Sequence, residues 1–577
     1  MQAELASTAT DDGEQGEGMP ETRGANGPLR TLIATLAMAI AFLAVGTQLV
    51  RLAMQGQGEI SSSLNETVAQ SYARPDIVDR NGRLLATDIE AYSLFADPAR
   101  VLDRDEAIER LAVVFPDMDS NALRKDLSDR NRRFVWVRRG LAPRTAQQVH
   151  NLGLPGFEFR RELRRAYPAG KLAGHVLGYV NIDNKGVAGI ERYVDEVVGV
   201  ESVQGATLAE RPPVRLSLDI GVQHAVEAEL ADAVTRYEAQ GAAGVVIDVT
   251  TGEVMASASL PAVDPGKPNM EQGRLDKISG STFELGSVFK TLTIAMAIDK
   301  ALATPETIID VRQELTSGRF TIKDLHPLRR PLSVAEIFLH SSNVGAARLA
   351  LLAGPQRFQD FLRHMQLLDP MKTETGPMAA PQVPQRWGEI ETITAAYGHG
   401  IAMAPLQFAA AASAVVNGGR KVTPTFIKQQ PDADVADIPL MSTSTSEKMR
   451  VLMRRNVVER AGTGKRAEVP GYQVGGKTGT AEMPGVGGYR EKAVISSFLA
   501  AFPMDNPRYL VFVLLFEPKG TQETGGEVLA SRNAAPTAGR VISRIGPLLG
   551  VMPTQAAAAG ATGMAFDASA HAKYEAR

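Results

Sequence analysis

From Thr31 to Val50 the chain reads TLIATLAMAIAFLAVGTQLV, with no charged residue between Arg30 and Arg51. An uncharged, mostly apolar run of about 20 residues is long enough to cross a bilayer as a helix. The pattern predicts a retained transmembrane helix over residues 31–50. A buried core helix fits less well, because the run is apolar all round and lies close to the terminus. A cleaved signal peptide also fits less well, because the run exceeds the usual apolar length and follows a long acidic segment. Arg23 and Arg30 precede the span and Arg51 alone lies close after it. That bias puts the N-terminus inside and the bulk of the chain outside.

Beyond the span, two textures follow. Residues 60–210 mix short strands and helices with many arginines. Arg132-Arg133-Phe134-Val135-Trp136-Val137-Arg138-Arg139 reads as a strand with basic flanks. From Pro212 onward, VRLSLD reads as a strand and IGVQHAVEAELADAV has helical period. AGVVIDV, Thr250-Thr251-Gly252 and EVMASAS read as strand, turn and strand. ISSFLAAF and YLVFVLLF are two more strands, and residues 530–549 read as a closing helix despite Pro536. Between Ile278 and Gln407 the pattern is mainly helical. Strands at both ends of a helical middle predict an α+β fold with a central antiparallel sheet and an all-helical subregion. The expected organisation is a polar tail (1–30), a span (31–50), a first domain (60–210), a second domain (211–550) and an Ala- and Gly-rich tail (551–577).

Composition narrows the chemistry. The chain has 577 residues, enough for two or more folded units. Six acids face two bases in residues 1–30, a segment that buries too little to fold alone. Net charge is -3, which does not point to nucleic acid, and the basic-aromatic strand is expected to pack structurally or meet a protein or glycan. There is no cysteine, so disulfides, thiolate metal sites and a thiol nucleophile are excluded. The eight histidines are scattered without a close ligand pair, so no metal site is expected.

Three short motifs carry the candidate chemistry. Ser287-Val288-Phe289-Lys290 opens a helical pattern behind Gly286. A serine hydroxyl needs a base to take its proton, and a lysine three residues on lies over the same helix face. Such a lysine must be neutral, which burial or a neighbouring cation can arrange. Ser341-Ser342-Asn343 sits where two helical patterns meet; taken alone it reads as a helix cap. Lys477-Thr478-Gly479-Thr480, behind Gly475 and Gly476, offers a cation, two hydroxyls and a close backbone approach, a set suited to a carboxylate. Gly471 to Thr478 also matches a phosphate-loop pattern formally. However, AEVPGYQ is a poor strand before it and TAEMPGVGG cannot begin a helix after it.

S-x-x-K, S-x-N and K-T-G in this order form a penicillin-recognising signature, and the chain resembles class B penicillin-binding proteins over roughly residues 70–545. Arg74-Pro75-Asp76-Ile77-Val78-Asp79-Arg80-Asn81-Gly82, Arg165-Ala166-Tyr167-Pro168 and Gly186-Val187-Ala188-Gly189-Ile190-Glu191 resemble the three motifs of that family's non-catalytic pedestal. VVIDVTTGEVMASASLP resembles the opening hairpin of its transpeptidase domain. Tyr397-Gly398-His399-Gly400, with Pro405-Leu406-Gln407, resembles another segment. Pro75 stands where a glycine is usual and Leu285 where a proline is usual.

The resemblance implies a peptidoglycan D,D-transpeptidase that needs no metal or organic cofactor. Ser287 is implied as nucleophile, Lys290 as base and Ser341 as proton relay. Asn343 is implied to hold the substrate amide. Lys477, Thr478, Gly479 and Thr480 are implied to meet the terminal carboxylate, and the amides of Ser287 and Thr480 to form the oxyanion hole. Implied partners are stem peptides (a D-Ala-D-Ala donor and an amine acceptor), β-lactams, the membrane, a SEDS-type glycan polymerase (FtsW) and other division proteins, with no nucleic acid. The pedestal and the HVLGYVNIDNKGVAGIE segment look more like the division than the elongation type. That implies a single-pass inner-membrane protein with its catalytic domain in the periplasm, at the septum. A β-lactamase or carboxypeptidase would use similar triplets without an anchor and pedestal, and a pure scaffold would not need all three motifs.

Overall fold

The structure is a computed structural model, and it describes residues 32–33, 35–48, 50–51, 74–198, 212–267, 275–318, 320–430, 437–485 and 488–554. The chain splits into two compact units, residues 1–70 and 71–577. In the first, residues 32–33, 35–48 and 50–51 are helical. Among the described residues no helix is long and apolar enough to cross a membrane. The polar tail at 1–30 and residues 555–577 lie outside the described residues.

The second unit begins with a small mixed sheet. Its long strand β2 (Leu84–Ala96) pairs antiparallel with β1 (Ile77–Val78), β3 (Val135–Leu141) and β4 (Phe157–Ala166). Helix α1 (Arg104–Val114) is capped by Asp103, whose carboxylate accepts from the amides of Asp105 and Glu106. The basic-aromatic segment forms β3 as expected, starting at Val135. Phe134 stacks on Phe95 at 4.8 Å, Trp136 meets Phe134 edge-on at 4.7 Å, and the Arg139 guanidinium lies over Trp136. Arg133, Arg138 and Arg139 pair with Asp97, Asp117 and Glu162. This cluster is packed and charge-balanced within the protein.

The three pedestal-like motifs, far apart in sequence, converge on one buried ion network. Glu191, fully buried, accepts from Arg165 Nε at 2.7 Å and from Arg74 Nε at 2.9 Å. Arg165 also reaches Asp88 at 3.1 Å and the carbonyl of Pro75 at 2.9 Å. Burial alone would lower the Arg165 pKa, but Glu191 and Asp88 hold it above the ordinary value. The first motif then seats this sheet on the rest of the unit. β1 pairs parallel with β5 (Val214–Arg215), Asn81 donates to Asp219, and Arg80 pairs with Glu253.

The remainder is built on a five-stranded antiparallel sheet with two buried faces. Helix α2 (Ile220–Arg236) precedes β6 (Gly241–Asp248) and β7 (Val254–Leu260). After a mainly helical stretch come β8 (Gly475–Gly485), β9 (Gly488–Phe502) and β10 (Tyr509–Phe516), giving the order β8-β9-β10-β6-β7. The run YLVFVLLF is continuously apolar because both faces are covered. Leu510, Phe512, Leu514 and Phe516 face one core, while Tyr509, Val511, Val513 and Leu515 face the other. Helix α2 and the closing helix α8 (Ala534–Leu548) cover the second face. Helices α3 (Lys290–Asp299) and α6 (Pro405–Val416) belong to the first, and every residue of α6 is buried.

Some expectations shift. VRLSLD forms only the two-residue β5, because Ser217 and Leu216 turn to meet Phe426 and Ile427 instead. The closing helix starts at Ala534 rather than 530, which puts Pro536 in the first turn, where its missing N–H breaks no helical bond. The mainly helical middle also carries short strands, including Leu315–Ser317 paired with Phe320–Ile322.

Removing Glu191 leaves two buried guanidiniums short of a counter-charge. Glu191→Ala is expected to lower unfolding free energy by about 3–5 kcal/mol, read from denaturant midpoints. A loss below about 1 kcal/mol would show the network to be dispensable.

Candidate active site

Residues Gly286–Phe289 form a single 3-10 turn that feeds directly into α3. In a 3-10 turn, positions three apart eclipse one another. The sequence predicts an ordinary first helical turn here; the tighter turn stacks Ser287 and Lys290 more directly. Lys290 Nζ lies 2.9 Å from Ser287 Oγ. Ser287 is half-buried, whereas Lys290 is fully buried, as are most residues of α3 behind it.

Helix α4 (Val334–His340) ends at Ser341, which takes left-handed backbone angles (φ 59°, ψ 43°), and α5 (Asn343–Ala353) starts two residues on. Ser342 is a helix cap: its hydroxyl accepts from the Gly345 amide at 2.9 Å. Its neighbours face the lysine. Lys290 Nζ reaches the Ser341 carbonyl at 2.6 Å, Asn343 Oδ1 at 2.6 Å and Ser341 Oγ at 3.2 Å.

The third motif is the middle of an edge strand, with Lys477 opposite Leu499 and Gly479 opposite Ser497 on β9. That disposes of the phosphate-loop pattern, because Lys477 lies within a strand instead of opening a helix. Lys477 is fully buried, and its Nζ donates to Ser341 Oγ at 2.9 Å. Gly479 lies under the Ser287 turn. A Cβ there would fall 2.5 Å from Ser497 Oγ and 2.7 Å from the Leu285 carbonyl. Gly286 (φ 59°) likewise abuts the Thr480 carbonyl, where a Cβ would sit 2.7 Å away. Strand and turn therefore meet backbone to backbone. Thr478 Oγ1 bonds Thr463 Oγ1 at 2.7 Å, and Thr480 is half-exposed, with its hydroxyl accepting from the Ala530 amide. All three motifs thus line one cleft.

Several supporting residues escape the motif reading. Helix α7 (Thr443–Val458) carries Asn456, fully buried, which donates to the Gly476 carbonyl at 2.8 Å and accepts from Thr463. The Gly462-Thr463-Gly464 turn is the only sequence hint of this brace. Asp324 accepts from the hydroxyl of Ser342 and the amides of Asn343 and Val344, and nothing in its local sequence marks it. The Tyr397-Gly398-His399-Gly400 segment packs on the Ser287 turn. The Gly286 amide donates to the Gly398 carbonyl, and Glu284 accepts from the Gly400 amide. Leu285, where a proline is usual, is buried in the main core, so the turn keeps its place without the ring.

Electrostatics follow from burial. Lys290 is pushed well below the ordinary lysine range by desolvation first and by Lys477 second, with Asp324 opposing. Lys477 is lowered to about 7 by desolvation. A neutral amine has two N–H groups and one lone pair. The Ser341 carbonyl and Asn343 Oδ1 only accept, so they take both N–H groups of a neutral Lys290 and leave its lone pair toward the Ser287 hydroxyl. That is the geometry of a general base.

Residues 242–537 match the penicillin binding protein transpeptidase domain, and residues 70–204 match the penicillin-binding protein dimerisation domain. The chain belongs to the penicillin-binding transpeptidase family. It is 39% identical over 488 residues to the probable peptidoglycan D,D-transpeptidase FtsI of Caulobacter vibrioides, covering 83% of this chain and 82% of that protein. It is 31% identical over 515 residues to the probable peptidoglycan D,D-transpeptidase PenA of Neisseria meningitidis, covering 85% and 86%. Among solved structures, the transpeptidase domain of Burkholderia pseudomallei penicillin-binding protein 3 superposes with a TM-score of 0.53 at 28% identity, over 59% of this chain and 98% of that one.

The depressed Lys477 pKa has a consequence for stability. Between its folded value of about 7 and the unfolded lysine value near 10.5, the unfolded state holds a proton that the folded state has lost. Stability therefore rises with pH across that window. Lys477→Met removes the burden of a buried ammonium. Its gain over wild type is expected to be largest below pH 7 and to shrink toward pH 10, measured by denaturant midpoints. A gain independent of pH would contradict the depressed value.

Proposed function

We propose that this protein is a division-type peptidoglycan D,D-transpeptidase and a target of β-lactams. The observation that carries the reading is Lys290 Nζ, buried and 2.9 Å from a half-exposed Ser287 hydroxyl, with its N–H groups taken up elsewhere. The names of the FtsI and PenA relatives support the substrate. Ser287 Oγ attacks the carbonyl between the two terminal D-alanines of a stem peptide, and its proton passes to Lys290. The amides of Ser287 and Thr480 stabilise the oxyanion. The C–N bond breaks as the leaving D-alanine amine takes a proton through Ser341, which lies between the two lysines. Asn343 holds the substrate amide. Lys477, Thr478, Gly479 and Thr480 meet its terminal carboxylate. An amine from a neighbouring stem then attacks the ester carbonyl; the new C–N bond forms as the C–O bond to Ser287 breaks, and the amine's proton passes through Lys290 to Ser287 Oγ.

Residues 31–50 are the proposed single-pass inner-membrane anchor, with the pedestal (60–210) and catalytic domain (211–550) in the periplasm, acting at the septum beside an FtsW-type polymerase and other division proteins. The support is the uncharged run itself. In its described helical part Leu36, Phe42 and Leu43 are 62%, 74% and 75% exposed, so the described residues leave them largely uncovered. A bilayer covers such a helix on every side.

Fluorescent penicillin is expected to label the protein at one-to-one stoichiometry, and Ser287→Ala to abolish labelling with the melting transition intact. Mass mapping of the adduct to another serine would overturn the assignment. For the anchor, protease added to spheroplasts is expected to digest residues beyond Arg51 and spare the extreme N-terminus. A mature N-terminus near residue 50, or a protected catalytic domain, would refute it.

A further inference from the structure

Asp324 is tied by hydrogen bonds to the turn that lies between the Ser287–Lys290 pair and Lys477. Oδ1 accepts from the amides of Asn343 at 2.5 Å and Val344 at 3.0 Å, and Oδ2 accepts from the Ser342 hydroxyl at 2.7 Å. One carboxylate therefore satisfies two free amides at the start of α5, where the helix dipole also favours a negative charge. The neighbouring Lys323 carbonyl accepts from Asn343 Nδ2 at 3.0 Å, which aims Asn343 Oδ1 at Lys290. The segment that supplies both groups is otherwise on the surface, with Leu325 70% exposed.

We propose that Asp324 is a positioning residue for acyl transfer: its carboxylate holds the Ser341–Asn343 turn in register with Lys290 and Lys477, and its charge acts on the base through that turn. Ser341 needs such a hold. It sits in left-handed backbone, which is strained for a non-glycine residue, and its hydroxyl must stay within reach of both amines. The titratable groups that bear on Lys290 are Lys477 from β8, Asp324, and His399 from the segment packed on the nucleophile turn. Of these, Asp324 is the one that favours the protonated amine, so it sets how far burial and Lys477 can depress Lys290.

The two roles separate by substitution. Asp324→Asn keeps Oδ1 for both amides, and its Nδ2 can donate to Ser342 Oγ, so the turn survives while the charge is lost. Asp324→Ala loses both. The inference rests on the acyl-transfer reading above. Its test is the second-order acylation rate with fluorescent penicillin between pH 5 and pH 9, using full-length protein in detergent, with thermal melting as the folding control. Losing the anion makes Lys290 easier to deprotonate, so the acid limb of the Asp324→Asn profile is expected to move to lower pH by roughly one unit. Asp324→Ala is expected to acylate roughly ten- to hundredfold more slowly at its optimum. An unmoved acid limb in a folded Asp324→Asn overturns the electrostatic role, and an Asp324→Ala rate within twofold of wild type overturns the positioning role. If wild type itself is not acylated, the acyl-transfer reading fails instead.

Discussion

Two completely buried lysines, Lys290 and Lys477, share one serine hydroxyl, and the catalytic half of the molecule is arranged around that pairing. Two ammonium groups buried together repel each other and lose their hydration. Lys290 hydrogen-bonds neutral oxygens of Ser287, Ser341 and Asn343, and no carboxylate among the described residues lies within hydrogen-bonding reach of it. The cheapest state is therefore one in which at least one amine is neutral. Lys290 feels both desolvation and its neighbour's charge, whereas Lys477 is lowered by desolvation. The neutral amine thus falls beside Ser287, and the remaining positive charge falls on Lys477 of strand β8.

Such a cleft demands rigid walls, because an amine that could swing into water would regain its proton. The walls are interior elements. Helix α3 is buried almost along its whole length, and α6 along all of it. The sheet beneath them has apolar side chains on both faces. Strand β8 is the exception, an edge strand with a sheet partner on one side only among the described residues. It is held from outside the sheet. Asn456 takes the Gly476 carbonyl, Thr463 links Asn456 to Thr478, and the bare Gly479 lets the Ser287 turn press against the strand.

What the sequence reveals follows from how local each cause is. The antiparallel hairpin of β6 and β7, the paired strands β9 and β10, and helix α2 are legible because alternation and helical period are properties of neighbouring residues. The triplets are legible because their chemistry is carried by the residues themselves. The 3-10 turn at Ser287 is not, since it depends on Gly398 and Thr480 pressing from distant segments. Nor is the two-residue β5, which gives up strand length to pair with the Phe426 region. Asp324 and Asn456 are ordinary polar residues until tertiary structure gives them amides and carbonyls to hold. The pedestal network shows the same limit. Arg74, Arg165 and Glu191 each belong to a recognisable segment, but their ionic convergence is visible only once β2, β4 and the helix at Gly189–Tyr193 are assembled.

Ser341-Ser342-Asn343 shows how one turn can serve structure and chemistry at once. A cap reading and a catalytic reading look like rivals on the page, since either uses a serine and an asparagine before a helix. The left-handed angles at Ser341 dissolve the rivalry. They reverse the chain at that residue, so consecutive side chains leave in different directions. Ser342 turns inward, 3% exposed, to close the helix and bind Asp324. Ser341 and Asn343 turn toward the lysines. The capping bonds then serve the chemistry, because each bond that fixes Ser342 also fixes the residues on either side of it. Backbone strain at Ser341 is offset by hydrogen bonds one residue away, so the strained residue is free to present its hydroxyl to both amines.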